Sequence, residues 1–502
     1  MTETPPTLPN HALSHWGDID WPRAEKVVKG LQRRIVKATQ EEDWSRVKDL
    51  QRLLTRSISG RLLAVKRVTE NQGKATPGVD RVIWSTPESK IRALPTLKKE
   101  GYRAQPLRRV FIPKSNGTMR PLGIPTMKDR AMQALHLLAL DPVEETRADG
   151  HSYGFRPGRS TADARAQLFN ALSKRTSPPF ILEGDIEACF DRISHEWLLS
   201  HVPMDKTLLH EWLKAGVIHK GELQPTKSGT PQGGIVSPVL ANWALDGLES
   251  LILKGSGGKG LYFVRFADDW VVTGSSPERL EEVKERIQEF LAERGMTLSP
   301  TKTRIAHIDE GFDFLGWNFR KYHGKLLIKP SEKNVKMLLT KVRDWVDRHK
   351  QARQIDVIGF LNPLIRGWAN YHRGAVAKET FAHVDAKIFE LLWQWAKRRH
   401  PGKRARWIRE RYFHTIGTRI WVFADRDGKG NWLSLVKASD TKIVRHVKVR
   451  KEANPYDPTW EEYGGPSCQD RFYDFCKHIL EEVISSLRRE VLVALSLRRC
   501  LV

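Results

Sequence analysis

The stretch Leu261-Tyr262-Phe263-Val264-Arg265-Phe266-Ala267-Asp268-Asp269-Trp270-Val271-Val272-Thr273-Gly274 constrains this chain more than any other, because two apolar runs flank one pair of adjacent carboxylates. Runs rich in β-branched and aromatic residues read as buried strands, and a hairpin with a charged tip keeps them inside while leaving the acids in water. Side chains alternate faces along a strand, so Asp268 and Asp269 point the same way only if the turn bends them together. Asp is also an ordinary turn residue that bonds its own backbone, and the pair alone is most simply a structural turn.

A second apolar run, Phe180-Ile181-Leu182, ends at Asp185 and leads toward a helix starting near Ser194, a good N-cap residue. That places a third carboxylate at a strand end. Three crowded carboxylates raise one another's pKa unless a cation such as Mg²⁺ neutralises them. Two metals roughly 3.5–4 Å apart are the recurrent solution for phosphoryl transfer. The chemistry points to nucleotidyl transfer.

Phe266-Ala267-Asp268-Asp269 resembles the aromatic-x-Asp-Asp box of reverse transcriptases. The order of segments between residues 60 and 465 resembles bacterial group II intron-encoded reverse transcriptase/maturases. The resemblance implies an α+β right-hand polymerase: fingers and palm with an antiparallel sheet packed on helices, a helical thumb, and a small basic C-terminal DNA-binding region. It implies that Asp185, Asp268 and Asp269 are catalytic and bind two Mg²⁺ ions, with Ile186 among the metal-binding positions. Phe190 is then the bulky residue that excludes a ribose 2′-OH. The box opens with Phe where Tyr is commoner, which keeps the ring and loses a hydroxyl. The expected division is 1–70, a basic helical extension; 71–330, fingers and palm; 331–400, thumb or maturase domain; and 401–502, the basic DNA-binding region with a truncated tail.

Lys plus Arg number 84 against 59 Asp plus Glu, a formal net charge of +25 over 502 residues, which calls for a polyanionic partner. No apolar run approaches the 18 or so residues that span a bilayer, and the polar N-terminus lacks a signal peptide pattern, so the partner is nucleic acid and the expected compartment the bacterial cytoplasm. Cys189, Cys468, Cys476 and Cys500 show no metal-ligand or disulfide spacing.

Residues 1–16 read as a loose arm. From Trp21 to Glu70 apolar residues recur at three- and four-residue steps, and Lys26, Lys29, Arg33, Arg34 and Lys37 form the other face, either a solvated surface or the grip on template RNA that the resemblance implies. Asn71–Asp80 is a Gly/Pro-rich break, a boundary or mobile loop. Asn116-Gly117 signals a hairpin turn between Lys114 and Arg120, two cations suited to clamp a triphosphate. Ser152–Ser160 is too rich in Gly and Pro for regular structure; its Arg156 reads either as template-side support or as a tie to a palm carboxylate. In Thr230-Pro231-Gln232-Gly233-Gly234, the resemblance puts Gln232 beside the incoming nucleotide and templating base. A helix is expected over Leu240–Ile252, and another, capped by Ser276, with Leu280, Val283, Ile287, Phe290 and Leu291 inward. Lys302 is either a surface lysine or, by resemblance, one near the nucleotide phosphates. Phe312–Trp317 resembles the primer-grip turn.

From Ser331 to His400 the pattern is helical, with a break over Phe360–His372 whose Arg366, Tyr371, His372 and Arg373 are candidates to touch a duplex. This segment resembles the maturase domain. Lys397–Arg411 is a dense basic tract for phosphate contact. Arg419–Phe423 and Ile443–Val447 read as strands, and Asp425–Asn431 as a turn. Past Tyr463 no His-Asn-His nuclease with paired cysteines is expected. The reading is an RNA-directed DNA polymerase that also binds its group II intron RNA to promote splicing and retrohoming. Its partners are that RNA, a template/primer duplex, target DNA and dNTPs, without a membrane. The alternative is an RNA-binding splicing cofactor or chaperone whose palm is only a scaffold. The joint presence of Asp185, Asp268, Asp269, Lys114, Arg120 and Gln232 favours the first.

Overall fold

The computed structural model describes residues 15–113, 119–230, 233–254 and 260–460. Lys114, Gln232, the Asn116-Gly117 turn and the tail with its three cysteines lie outside the described residues.

The N-terminal layer is three helices, α1 (Trp21–Gln40), α2 (Trp44–Arg56) and α3 (Ile58–Glu70), capped by Asp20, Asp43 and Ser57. Their three-to-four spacing buries Val28, Leu31, Ile35, Val47, Leu50 and Leu54 in one cluster and leaves Lys26, Lys29, Arg33, Arg34 and Lys37 of α1 exposed. Trp16 does not belong to a loose arm: it is 8% exposed and meets Trp21 edge-on at 5.1 Å, because an indole gains more from burial than its polar neighbours lose.

The fingers half follows with α4 (Pro87–Ala93), the hairpin β1 (Leu107–Pro113) and β2 (Met119–Ile124), and the buried helix α5 (Met127–Arg147). Asn71–Asp80 is pinned to this half. The Arg130 guanidinium donates to the Gly73 and Thr76 carbonyls, and a Cβ on Gly78 would sit 2.7 Å from the Thr126 backbone.

The palm alternates helix and strand: α6 (Thr161–Leu172), β3 (Phe180–Gly184), α7 (Cys189–Arg192), α8 (His195–His201), α9 (Lys206–Lys214), β4 (Val217–His219), β5 (Glu222–Gln224), α10 (Ser237–Leu245), α11 (Leu248–Lys254), β6 (Tyr262–Phe266), β7 (Asp269–Gly274), α12 (Pro277–Ala292) and β8 (Arg304–His307). Strands pair as β6-β7-β3-β8, all antiparallel, with Gly184 opposite Trp270, while β4 and β5 extend the fingers hairpin. One face of the sheet buries Leu182, Phe263, Trp270 and Val272 against α12 and its neighbours; the other buries Ile181, Val264 and Val271. Where one helix was expected over Leu240–Ile252 there are two. Asp246 turns extended and Gly247 takes φ +102°, because the Gly247 N–H is drawn to the Asp149 carboxylate.

A second antiparallel sheet, β9 (Phe312–Phe314), β10 (Trp317–Tyr322) and β11 (Lys325–Pro330), leads into α13 (Glu332–Arg348), α14 (Gln354–His372), α15 (Lys378–Arg399) and α16 (Ala405–Tyr412). Last comes the sheet β12 (Phe413–Ile416), β13 (Arg419–Arg426) and β14 (Trp432–Ser434), its turn made by Asp427 accepting from the Lys429 and Asn431 N–H groups. The expected break over Phe360–His372 is absent. α14 runs through Pro363, because Leu361 and Ile365 are buried on either side and Gly359, whose carbonyl the proline ring crowds, has open space around it. Ile443–Val447 is no strand either: it begins an extended strap in which Val444 donates to the Arg373 carbonyl, and His446 Nε2 and Val449 N meet Asp163 Oδ1 at 2.7 and 3.0 Å. The strap continues past Arg159, which donates to the Lys451 and Ala453 carbonyls, to Tyr456 on Asp141 and Asp457 on Gln40 of α1.

Candidate active site

The tip of the β6–β7 hairpin is a turn whose Ala267 takes φ +58°, a left-handed step that reverses the chain at the adjacent carboxylates. Asp185 follows directly on Gly184, which pairs with Trp270, so register alone sets it beside Asp269. The approach is close: a Cβ on Gly184 would lie 1.9 Å from the Trp270 indole, so only glycine fits there.

The electrostatics record the same convergence. Burial, then the charges of Asp268 and Asp185, push the Asp269 carboxyl up to about 7, and burial together with Asp185 raises Asp268. Lys302 Nζ donates to Asp185 Oδ2 at 2.8 Å, and that contact raises the lysine. The Lys302 loop is held in place by backbone bonds, Ser299 N to the Asp185 carbonyl and Glu187 N to the Thr297 carbonyl. Among the described residues no three His, Cys, Asp or Glu side chains form a ready-made metal cage. A lysine against Asp185 takes up part of the charge. The donor set itself, hard carboxylate oxygens that repel one another, fits a divalent cation such as Mg²⁺. The Ile186 side chain is 2% exposed and its backbone bridges to Leu298, so this position has only a carbonyl oxygen to offer.

Around the tip, Phe190 is half-buried with its ring edge-on to Phe155 at 5.8 Å. Arg120 is exposed on β2 opposite Ile112, and its charge acts on Asp268. Ser152–Pro157 is irregular, and it buttresses the hairpin. Tyr153 N donates to the Arg265 carbonyl, Arg265 N to the His151 carbonyl, and a Cβ on Gly154 would lie 2.1 Å from Ala267 N. Arg156 is the structural tie: 4% exposed, it grips Glu145 with two bonds of 2.7 and 2.8 Å.

Sequence reading missed Arg265, which is fully buried. Its guanidinium donates to Asp246 Oδ1 at 2.5 Å, to Asn242 Oδ1 at 3.1 Å and to the Ala267 carbonyl at 3.4 Å, while Asn242 Nδ2 holds the Gly154 carbonyl at 3.0 Å. The available signal was a lone charge inside an otherwise apolar strand. Of the duplex-contact candidates, His372 is buried, with Nε2 3.0 Å from Asn334 Oδ1, and Tyr371 stacks on Trp317 at 4.5 Å and donates to the Leu315 carbonyl. Their places are taken up by the joint between α14 and the Leu315-Gly316 turn. Arg366 and Arg373 remain exposed.

An antiparallel palm with carboxylates at its tip, between a hairpin-bearing fingers half and a helical thumb, is the arrangement of a right-hand polymerase. Comparison with known proteins narrows this. The profile of reverse transcriptase (RNA-dependent DNA polymerase) matches residues 112–319, that of the N-terminal domain of reverse transcriptase matches 16–97, and that of the group II intron maturase-specific domain matches 335–413. Protein YkfC of Escherichia coli K12 is 30% identical over 335 residues, 58% of this chain and 87% of its own length. The group II intron-encoded protein LtrA of Lactococcus lactis is 27% identical over 519 residues, covering 84% of this chain and 83% of LtrA. A solved telomerase from Candida albicans is similar over 61% of this chain and 64% of its own, with 13% identity and a TM-score of 0.36. The chain belongs to the group II intron reverse transcriptase/maturase family. It is an RNA-directed DNA polymerase with a nucleic-acid-binding maturase domain, and no described helix is long and apolar enough to cross a membrane.

Proposed function

We propose that Asp185, Asp268 and Asp269 carry the polymerase chemistry, and that the chain binds its own group II intron RNA to promote splicing and retrohoming. One observation supports the site above all others: burial first, and then the charges of Asp268 and of the sequence-distant Asp185, push Asp269 to about 7 at the hairpin tip. These carboxylates and the Ile186 carbonyl would hold two Mg²⁺ ions, which when bound activate the attacking oxygen and steady the leaving one. Lys302 meets the phosphates and gives a proton to departing pyrophosphate. Arg120, together with Lys114 outside the described residues, clamps the triphosphate; Phe190 walls off a 2′-OH; Gln232, also outside them, contacts the nucleotide and templating base.

Residues 1–70 then grip RNA, 71–330 are fingers and palm, 331–400 the thumb, and 401–502 meet target DNA, all in the bacterial cytoplasm. Primer extension on an RNA template with dNTPs and Mg²⁺ tests the reading. Asp268→Ala is expected to lower incorporation roughly 10³-fold, about 4 kcal/mol of barrier, while intron RNA binding survives. An unmodified chain that binds RNA and incorporates nothing returns the palm to a scaffold.

A further inference from the structure

An exposed aromatic ledge lies where α15 meets β13, and none of its residues belongs to the site described above. Phe389 and Trp393, one turn apart on α15, stack at 6.3 Å, and Trp421 of β13 joins them at 6.3 and 5.8 Å. Phe389 is 36% exposed, Trp421 43% and the neighbouring Ile420 69%. The Arg409 guanidinium lies 5.6 Å from the Trp421 ring centre.

Trp421 stands there against its own backbone preference. In the β12–β13 ladder His414 faces Val422 and Ile416 faces Arg419, so Thr415 alone stands opposite both Ile420 and Trp421. That is a β-bulge, a device that re-aims side chains. Trp421 takes φ +58°, a left-handed conformation that bulky residues rarely adopt. An indole that is both strained and half in water is unexplained by folding alone, and strain of this kind clusters at ligand-binding positions.

Flat rings beside a guanidinium suit a flat, anionic partner. Lys397 continues the Phe389–Trp393 stripe by another four residues, and Lys403, Arg404 and Arg406 are exposed on the segment that follows. With a chain charge of +25, the partner is nucleic acid rather than an acidic protein of matching flatness. We infer that this ledge binds a single-stranded nucleic acid, stacking an unpaired base on Trp421 and setting its phosphates on Arg409 and the adjacent cations. A duplex keeps every base face except those of its two end pairs inside its own stack and offers no unpaired base. The inference rests on the nucleic-acid-binding reading of the C-terminal region and is independent of the polymerase chemistry.

Fluorescence anisotropy with a labelled single strand about a dozen nucleotides long, and with a blunt duplex of the same length, tests it across a salt series. Trp421→Ala is expected to bind the single strand about ten-fold more weakly with an unchanged salt slope, and the duplex nearly as before; Trp421→Phe keeps the ring and most of the affinity. Arg409→Gln instead lowers the salt slope by about one. A single strand carrying 5-iodouracil is expected to photocrosslink to the peptide containing Trp421, a readout that stands even if Trp421→Ala fails to fold. Equal losses on single strand and duplex, no loss at all, or crosslinks only elsewhere overturn the inference, as does self-association of the unmodified chain that Trp421→Ala abolishes. Single-strand binding that depends on Trp421 in a chain inactive in primer extension sinks the polymerase reading and leaves the ledge standing.

Discussion

Arg265 shows how one residue fixes a tip it does not reach. A buried guanidinium needs acceptors, and Asp246, Asn242 and Ala267 accept from its two terminal nitrogens while Nε has no partner, so the strand entering the tip is tied to α10 and to the Gly154 turn together. Beneath this network lies a residue with the opposite character. Glu144 is 1% exposed and neither carboxylate oxygen has a hydrogen-bond partner. Burial first, then the charges of Asp246 and Glu145, push it well above the usual carboxylate range. The folded chain therefore keeps a proton there that the unfolded chain releases near pH 4.3, and stability falls as pH rises above that value. Glu144→Gln removes the penalty. The expected result in denaturant unfolding is greater stability at pH 8, by roughly 1–3 kcal/mol, and little change near pH 4; the same gain at both pH values would refute it.

At the scale of elements, the joint between α13, α14 and the β9–β10 turn is a single polar node. Asn334 Oδ1 accepts from Trp368 Nε1 at 2.6 Å and from His372 Nε2 at 3.0 Å, and a Cβ on Gly316 would lie 2.9 Å from Asn334 Nδ2. Burial drives His372 down to about 3, so it is neutral in the fold. Its contribution is complete above the unfolded value near 6.5 and is lost as pH falls below it, with a slope of about 1.4 kcal/mol per pH unit. Because raised carboxyls such as Glu144 act in the opposite sense over the same range, the slope is read as a difference: in denaturant titrations from pH 7 to 5, His372→Gln is expected to lose less stability than the unmodified chain by about that amount per pH unit. The sequence carried the Leu361, Leu364, Ile365 and Trp368 stripe of α14 plainly, yet its Asn-Pro pair reads locally as a breaker, and only the packing of Leu361 and Ile365 keeps the helix whole. Ile443–Val447 misled in the other direction: β-branched alternation promises a strand, but Val444 N bonds to the Arg373 carbonyl and, two residues past the segment, Val449 N to Asp163, instead of to a sheet edge. The Asp268 hairpin was legible because two periodicities meet at a charged turn. Arg265, Asn242 and Asp246 were not, since their partners are brought together only by the fold.

For the molecule as a whole, the strap from Val444 to Asp457 ties the C-terminal region back across the palm to α1. His446 faces Asp163, a carboxylate that is fully buried, and removing the imidazole leaves a buried charge short of one donor. His446→Ala is expected to cost about 1–3 kcal/mol in denaturant unfolding. Because the strap leaves the thumb beside Arg373, the same variant is expected to shorten products in single-round primer extension on a long template while the initial rate stays the same; product lengths that do not change would show that the strap serves stability alone. The strap also sets an order on synthesis. Asp141 and Asp163 leave the ribosome hundreds of residues before Tyr456 and His446, the partners that complete them. Domains otherwise fold as they emerge, N-terminal first. Here the early half emerges with Asp141 lacking Tyr456 and Asp163 lacking His446, so a translation product stalled after the thumb is expected to hold a palm without these cross-ties.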